Sequence, residues 1–175
     1  MDQLKRPSVE AFKTQTKIPL TLVLDNVRSL HNVGSAFRTA DAFAIEQIIL
    51  CGITGVPPHR EIEKTALGAT QSVAWQHAPL TVNAVQALRE QGYRIIAVEQ
   101  ASDSVYLHQF EAVSTEKYAL IFGNEVHGVS DEVMAIVDNC IEIPQSGTKH
   151  SLNIAVSVGV VLWEFYANMQ LDSKS

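Results

Sequence analysis

Short apolar runs that stop at polar or turn-forming residues recur along this chain, and between them apolar residues return every three or four positions. The runs 20–25, 47–51, 94–98, 118–122 and 140–143 are rich in β-branched and aromatic residues and lack the alternation of a half-exposed strand. Such continuous runs are the pattern of strands buried on both faces. Segments 32–44, 60–67, 82–91 and 131–137 carry a helical period, and Gly92 supplies a stop for the third of them. Residues 72–75 read as strand-like. Residues 52–59, with two glycines and Pro57-Pro58, read as a loop, and 101–117 as a polar loop with local turns. Strands alternating with helices predict an α/β fold, a mostly parallel sheet with helices on both faces. Residues 18–170 are expected to form the domain, preceded by an arm or short helix over 1–17 and followed by a tail that frays over 171–175.

Residues 118–166 organise this pattern. Two of the apolar runs end at Gly123 and at Pro144, so polar groups are expected where buried strands empty into loops. A helix predicted to begin near Ser151 has apolar residues on nearly every face, which predicts deep burial. A buried helix facing two strand-end loops forms one wall of a pocket.

Composition narrows the function classes. Thirteen Lys and Arg against 19 Asp and Glu give a formal net charge of −6, which argues mildly against nucleic acid as a partner. The distribution, with Lys5, Arg6, Lys13, Lys17, Arg28, Arg38, Arg60 and Lys64 in the first part of the chain, allows either a local positive face or a solvated mixed surface. The two cysteines, Cys51 and Cys140, sit in strand-like runs without metal-ligand or CxxC spacing, and read as reduced core residues of a cytoplasmic protein. No histidine set has metal-ligand spacing, so no metal is expected, and no apolar run is long enough to span a bilayer.

Three clusters at strand ends could carry chemistry. In the first, Asn32 is suited to cap the following helix, and Arg38 reads either as a surface cation paired with Asp41 or as a functional cation. In the second, Gly123 and Gly128 bracket Asn124 and Glu125, permitting a tight loop with its backbone turned toward a ligand. In the third, Ile143, Pro144 and Gly147 precede Ser151, Leu152 and Asn153. Ser151 could simply cap a helix, but a buried amide at Asn153 without partners would cost about 1–3 kcal/mol, so it should have a designated partner.

Taken in order, Asn32, Gly34, Arg38 and Ala40, then Gly123, Asn124, Glu125 and Gly128, then Ile143, Pro144, Gly147, Ser151, Leu152 and Asn153 resemble the three motifs of the SpoU/TrmH family of RNA ribose 2′-O-methyltransferases, in the SPOUT superfamily. Residues 64–69 also look like the family. Leu30 stands where proline is common and Gln145 where methionine is common. The resemblance implies a deep C-terminal trefoil knot and a homodimer with the active site at the interface. It implies S-adenosylmethionine held by Gly123, Asn124, Ile143, Gly147, Ser151 and Leu152. It also implies Arg38 as the residue acting on the ribose hydroxyl, with Asn32, Glu125, Ser151 and Asn153 in supporting roles. The RNA substrate would be tRNA in preference to rRNA; a non-catalytic RNA-binding protein on the same scaffold is the alternative.

Overall fold

The structure is a computed structural model and describes residues 7–148 and 151–171. Its elements, in order, are α1 (Val9–Thr14), β1 (Ile18–Asp25), α2 (Leu30–Ala42), β2 (Ile45–Cys51), α3 (Arg60–Ala66), α4 (Ala69–Ser72), β3 (Ala74–Ala78), α5 (Thr81–Glu90), β4 (Tyr93–Val98), β5 (Val105–Tyr106), β6 (Lys117–Phe122), α6 (Asp131–Met134), β7 (Asn139–Glu142) and α7 (Ile154–Leu171). A single turn of 3₁₀ helix, Leu107–Gln109, follows β5.

The strands form one seven-stranded sheet in the order β3-β2-β1-β6-β4-β7-β5, and every pairing is parallel. Alternation along β1 explains its continuous apolar run. Leu20, Leu22 and Leu24 enter a cluster with Phe37, Val161 and Phe165 on one face, while Val23 enters a cluster with Val85, Leu88 and Val133 on the other. Both faces are covered, so no polar face was available to break the run. Burial pushes the Cys51 thiol up to about 12, and both cysteines are free, in keeping with the core reading. Among the described residues no helix is long and apolar enough to cross a membrane.

Several boundaries differ from the sequence expectation, each for a local reason. Helix α2 begins two residues before Asn32, because the Ser29 hydroxyl accepts from the Asn32 N–H at 3.3 Å; Ser29 is the cap and the Asn32 side chain is released from that duty. Residues 151–153 are not helical; Asn153 caps α7 instead of Ser151, its Oδ1 accepting from Ala155 N–H at 2.9 Å. The strand expected over 72–75 starts at Ala74, after the short helix α4. The 101–117 segment contains β5 and the 3₁₀ turn. Helix α7 is buried only along Val158, Val161, Leu162, Phe165 and Met169; on its opposite side Val156, Val160 and Trp163 are 51%, 39% and 56% exposed. Of the tail expected to fray, 172–175 lies outside the described residues, and Leu171 closes α7. Of the arm expected over 1–17, residues 1–6 lie outside them and α1 is the short helix.

Candidate active site

Parallel strands point their C-terminal ends the same way, so the loops after β4, β6 and β7 converge. Together with the segment entering α7 they enclose a cleft of about 550 Å³, within the usual range for small-molecule sites. Val98, Phe122, Ile143, Leu152 and Ile154 give it apolar walls, and Glu99, Glu125 and Glu142 give it carboxylates.

The loop after β6 has only one way to fit. It doubles back through Asn124 N–H to Gly128 C=O and Gly128 N–H to Asn124 C=O, both 2.9 Å. A Cβ on Gly123 would lie 2.0 Å from the Gly128 carbonyl carbon and 2.1 Å from the Val129 nitrogen, so only glycine is admitted. The Asn124 side chain staples the loop. Its Oδ1 accepts from Val126 N–H (2.9 Å) and His127 N–H (3.1 Å), and its Nδ2 donates to the Asn26 carbonyl (2.8 Å) at the end of β1.

Held this way, Glu125 reaches the start of α2. Its carboxylate accepts from Arg28 N–H at 2.9 Å, Ser29 N–H at 3.0 Å and Asn32 Nδ2 at 3.3 Å. Asn32 in turn accepts at Oδ1 from Asn153 Nδ2 at 3.2 Å. The β6 loop, the first turn of α2 and the segment entering α7, far apart in sequence, are therefore joined by the chain Glu125, Asn32, Asn153. Partial burial pushes the Glu125 pKa up, but the Arg28 and Ser29 N–H groups, with Asn32 behind them, outweigh it and hold the carboxyl below its ordinary range.

The structure brings Gly123, Asn124, Glu125, Ile143, Ser151, Leu152 and Asn153 to the cleft wall, and joins Asn32 to it through hydrogen bonds. Gly147 is exposed and not among the lining residues. Arg38 also stands apart from the cleft of its own chain, six residues beyond Asn32 on α2, which is about 9 Å along the axis. It is exposed and forms no ion pair among the described residues; Asp41 accepts from Ser72 Oγ at 2.5 Å rather than pairing with it.

Sequence reasoning passed over Glu99 and Glu142. Glu99 directly follows the apolar run of β4, and its carboxylate accepts from Val129 N–H (3.1 Å) and Gln100 N–H (3.0 Å), tying the β4 and β6 loops together. A lone acid just past a buried strand was the available signal. Buried Asp25, at the end of the first run, offered the same signal; it accepts from Asn26 Nδ2 (2.8 Å), Thr81 Oγ1 (2.5 Å) and Ser130 N–H (2.9 Å), and the last two, 56 and 105 residues away, could not be read from the sequence. Among the described residues, no group of three or more His, Cys, Asp or Glu could hold a metal ion.

Known proteins resemble this chain in sequence and fold. A Thermus thermophilus tRNA (guanosine(18)-2′-O)-methyltransferase is 31% identical over 163 residues, 93% of this chain and 81% of that protein. A Vibrio parahaemolyticus 23S rRNA (guanosine-2′-O-)-methyltransferase RlmB is 30% identical over 163 residues, 93% of this chain but 64% of its own length. The solved A. aeolicus TrmH/SpoU tRNA modifying enzyme superposes with a TM-score of 0.82 at 27% identity, covering 94% of this chain and 82% of that one. An AdoMet-bound rRNA methyltransferase from Sinorhizobium meliloti gives 0.80 at 26% identity, over 92% and 60%. Residues 19–163 match the SpoU rRNA Methylase family, and with nearly the whole described sheet inside that match, the chain belongs to this family.

Proposed function

We propose that the protein transfers a methyl group from S-adenosylmethionine to a ribose 2′-hydroxyl of structured RNA in the cytoplasm, with tRNA favoured over rRNA. The observation that carries this reading is the hydrogen-bonded chain Glu125, Asn32, Asn153, which ties the three motif segments together beside one cleft. The tRNA preference is supported by the relative acting on tRNA, of which this chain spans 81% against 64% for the rRNA relative.

The cleft suits such a cofactor. Its acidic residues suit a ligand bearing sulfonium and ammonium charges, its apolar walls suit an adenine, and Gly123, by letting its loop fold back on Gly128, keeps that loop at the cleft wall. When bound, the cofactor supplies an electrophilic methyl on a positively charged sulfur. Gly123, Asn124, Ile143, Ser151 and Leu152 would hold it, with Gly147 joining only if its loop closes inward. The protein's remaining task is to align the hydroxyl with the methyl, keep water from the sulfonium, and stabilise the developing oxygen charge as the O–C bond forms and the C–S bond breaks, the hydroxyl proton passing to bulk solvent. A guanidinium is a hydrogen-bond donor and no acceptor, so the role given to Arg38 is not that of a base. Its role is to clamp the adjoining phosphate and stabilise the developing alkoxide. Asn32, Glu125, Ser151 and Asn153 position these groups.

Arg38 standing outside its own cleft, together with the bare apolar side of α7, supports a homodimer in which one chain's arginine completes its partner's site. The terminal helix is flanked by earlier chain on two sides, with the Tyr166 ring 5.3 Å from that of Phe43, just past the end of α2, and the Phe165 ring 5.5 Å from that of Phe110, and this supports a trefoil knot that threads it. The test is calorimetric titration with S-adenosylmethionine, followed by labelled-methyl transfer to unmodified total tRNA and total rRNA and nucleoside analysis of the product. Binding and a 2′-O-methylated nucleoside from tRNA are expected. A methylated base, or cofactor binding without transfer to either RNA, overturns the reading.

A further inference from the structure

The short helix α3 divides its residues sharply. Ile62 and Ala66 are buried against α2, where Gly34 lets the backbones approach: a Cβ there would lie 2.2 Å from the Ile62 carbonyl oxygen. Arg60, Lys64 and Leu67, spaced four and three residues apart, share the opposite, exposed face. The acids on the flanks are engaged internally, Glu61 with His31 Nε2 at 2.6 Å and Glu63 with the Thr70 hydroxyl at 2.9 Å. Arg60 and Lys64 form no ion pair among the described residues. In a chain of net charge −6, this face carries two outward cations that no carboxylate pairs among the described residues, while the neighbouring Glu61, itself part-exposed, is held by His31 and Glu63 by Thr70.

Leu67 is the second unusual feature. It is 67% exposed and adopts φ +50, a left-handed conformation that leucine seldom takes, followed by Gly68 at φ +90. Nothing lies within 4 Å of a Cβ built on Gly68, so packing does not require that glycine; the bend does. The elbow is fixed at both ends, by Gly34 against α3 and by Asp41 accepting from Ser72 of α4. Positions 34, 38 and 41 share a face of α2, so Arg38 opens beside the elbow, between those two anchor points.

We propose that Arg60, Lys64 and Leu67 form a docking ridge for the backbone of the substrate RNA, the two cations taking phosphates and Leu67 packing against a nucleoside. The ridge rests on the methyltransferase reading above and adds where the RNA lies. The two unpaired, outward cations suit phosphates, and continuity with Arg38 and with His31, whose carbonyl accepts from Thr65 Oγ1 at 3.0 Å, leads from the ridge to the reacting ribose. Phosphate contacts of this kind position RNA without reading its sequence.

The experiment measures binding of labelled unmodified total tRNA to the full-length protein over a salt series, with Arg60→Gln/Lys64→Gln and Leu67→Gly beside wild type. The double variant should bind about tenfold or more weakly, and its slope of log affinity against log salt should be shallower by about two contacts' worth. Leu67→Gly relieves the left-handed strain, so its melting temperature should hold or rise while tRNA affinity falls severalfold at unchanged slope; a merely structural leucine would not separate the two. Cofactor affinity should match wild type in both. Unchanged tRNA affinity and slope in the double variant overturn the ridge, as does a changed oligomeric state, which would assign this face to a second copy of the chain. If wild type transfers no methyl to RNA, the underlying reading fails first, and that control separates the two failures.

Discussion

A carboxylate that accepts two backbone N–H groups is favoured as an anion over the neutral acid, and Glu125 is one. Its folded pKa lies below the ordinary value of 4.5, so the stability it contributes is fully present above about that pH and is lost as pH falls through the depressed value. Glu125→Gln should therefore melt below wild type at neutral pH, by less than about 1 kcal/mol because the group is exposed. That gap should shrink only below the ordinary glutamate range; parallel thermal melts from pH 7 to pH 3 measure it, and a gap independent of pH would refute the assignment. Arg38 is the converse case, a charge with no ion pair among the described residues and no burial, from which folding gains little. Arg38→Ala should leave the melting temperature and cofactor affinity near wild type and lower single-turnover methylation at least about a hundredfold, the scale of losing a transition-state donor. Normal single-turnover transfer by that variant would sink the role given to Arg38.

At the scale of elements, the join between α2 and α3 sets where Asn32 and Arg38 point. A Cβ at Gly34 would meet Thr65 Oγ1 at 2.1 Å and the Ile62 carbonyl oxygen at 2.2 Å, and the backbone oxygen cannot swing away. Gly34→Ala should push the helices apart at a cost of about 1–3 kcal/mol, the usual range for overpacking, seen as a drop of several degrees in melting temperature. An unchanged melt would mean the helices part freely. Elements of this kind were legible where their causes are local. The strands appeared as apolar runs because both faces are covered, and the Gly123 loop appeared because glycine at a strand end has few other uses. Caps were less legible: Ser29, Asn32, Ser151 and Asn153 are all competent caps, and which pair serves depends on a carboxylate about 95 residues from the first two, Glu125, claiming the Ser29 N–H and the Asn32 amide. The burial of α7 was misjudged because an apolar surround fixes how much surface must be covered, and not which molecule covers it.

At the scale of the whole molecule, that last point bears on function. Val156, Val160 and Trp163 recur along one side of α7, and Trp163 stacks on Tyr166 and lies 6.1 Å from Phe43, the C-terminal cap of α2, the helix that carries Arg38. An apolar stripe continuous with the arginine's helix suits a second copy that covers the stripe and receives the arginine in its own cleft. A two-fold assembly of this kind makes a quantitative demand that a site built within one chain does not. Arg38→Ala spoils the donated arginine, and Leu152→Arg fills the cleft with a charge; each homodimer should be inactive. In a heterodimer, the Arg38→Ala chain keeps an intact cleft and its partner keeps an intact arginine, so one of the two sites is restored. Unfolding and refolding an equal mixture yields heterodimers as half of the dimers, each with one working site, and should recover about a quarter of wild-type methyl transfer. The separate variants, refolded alone, should recover none. If each active site were assembled within a single chain, every chain in the mixture would carry one lesion in its only site and activity would stay at the level of the parents, so the mixed refolding assay separates the two assemblies by a yes-or-no outcome.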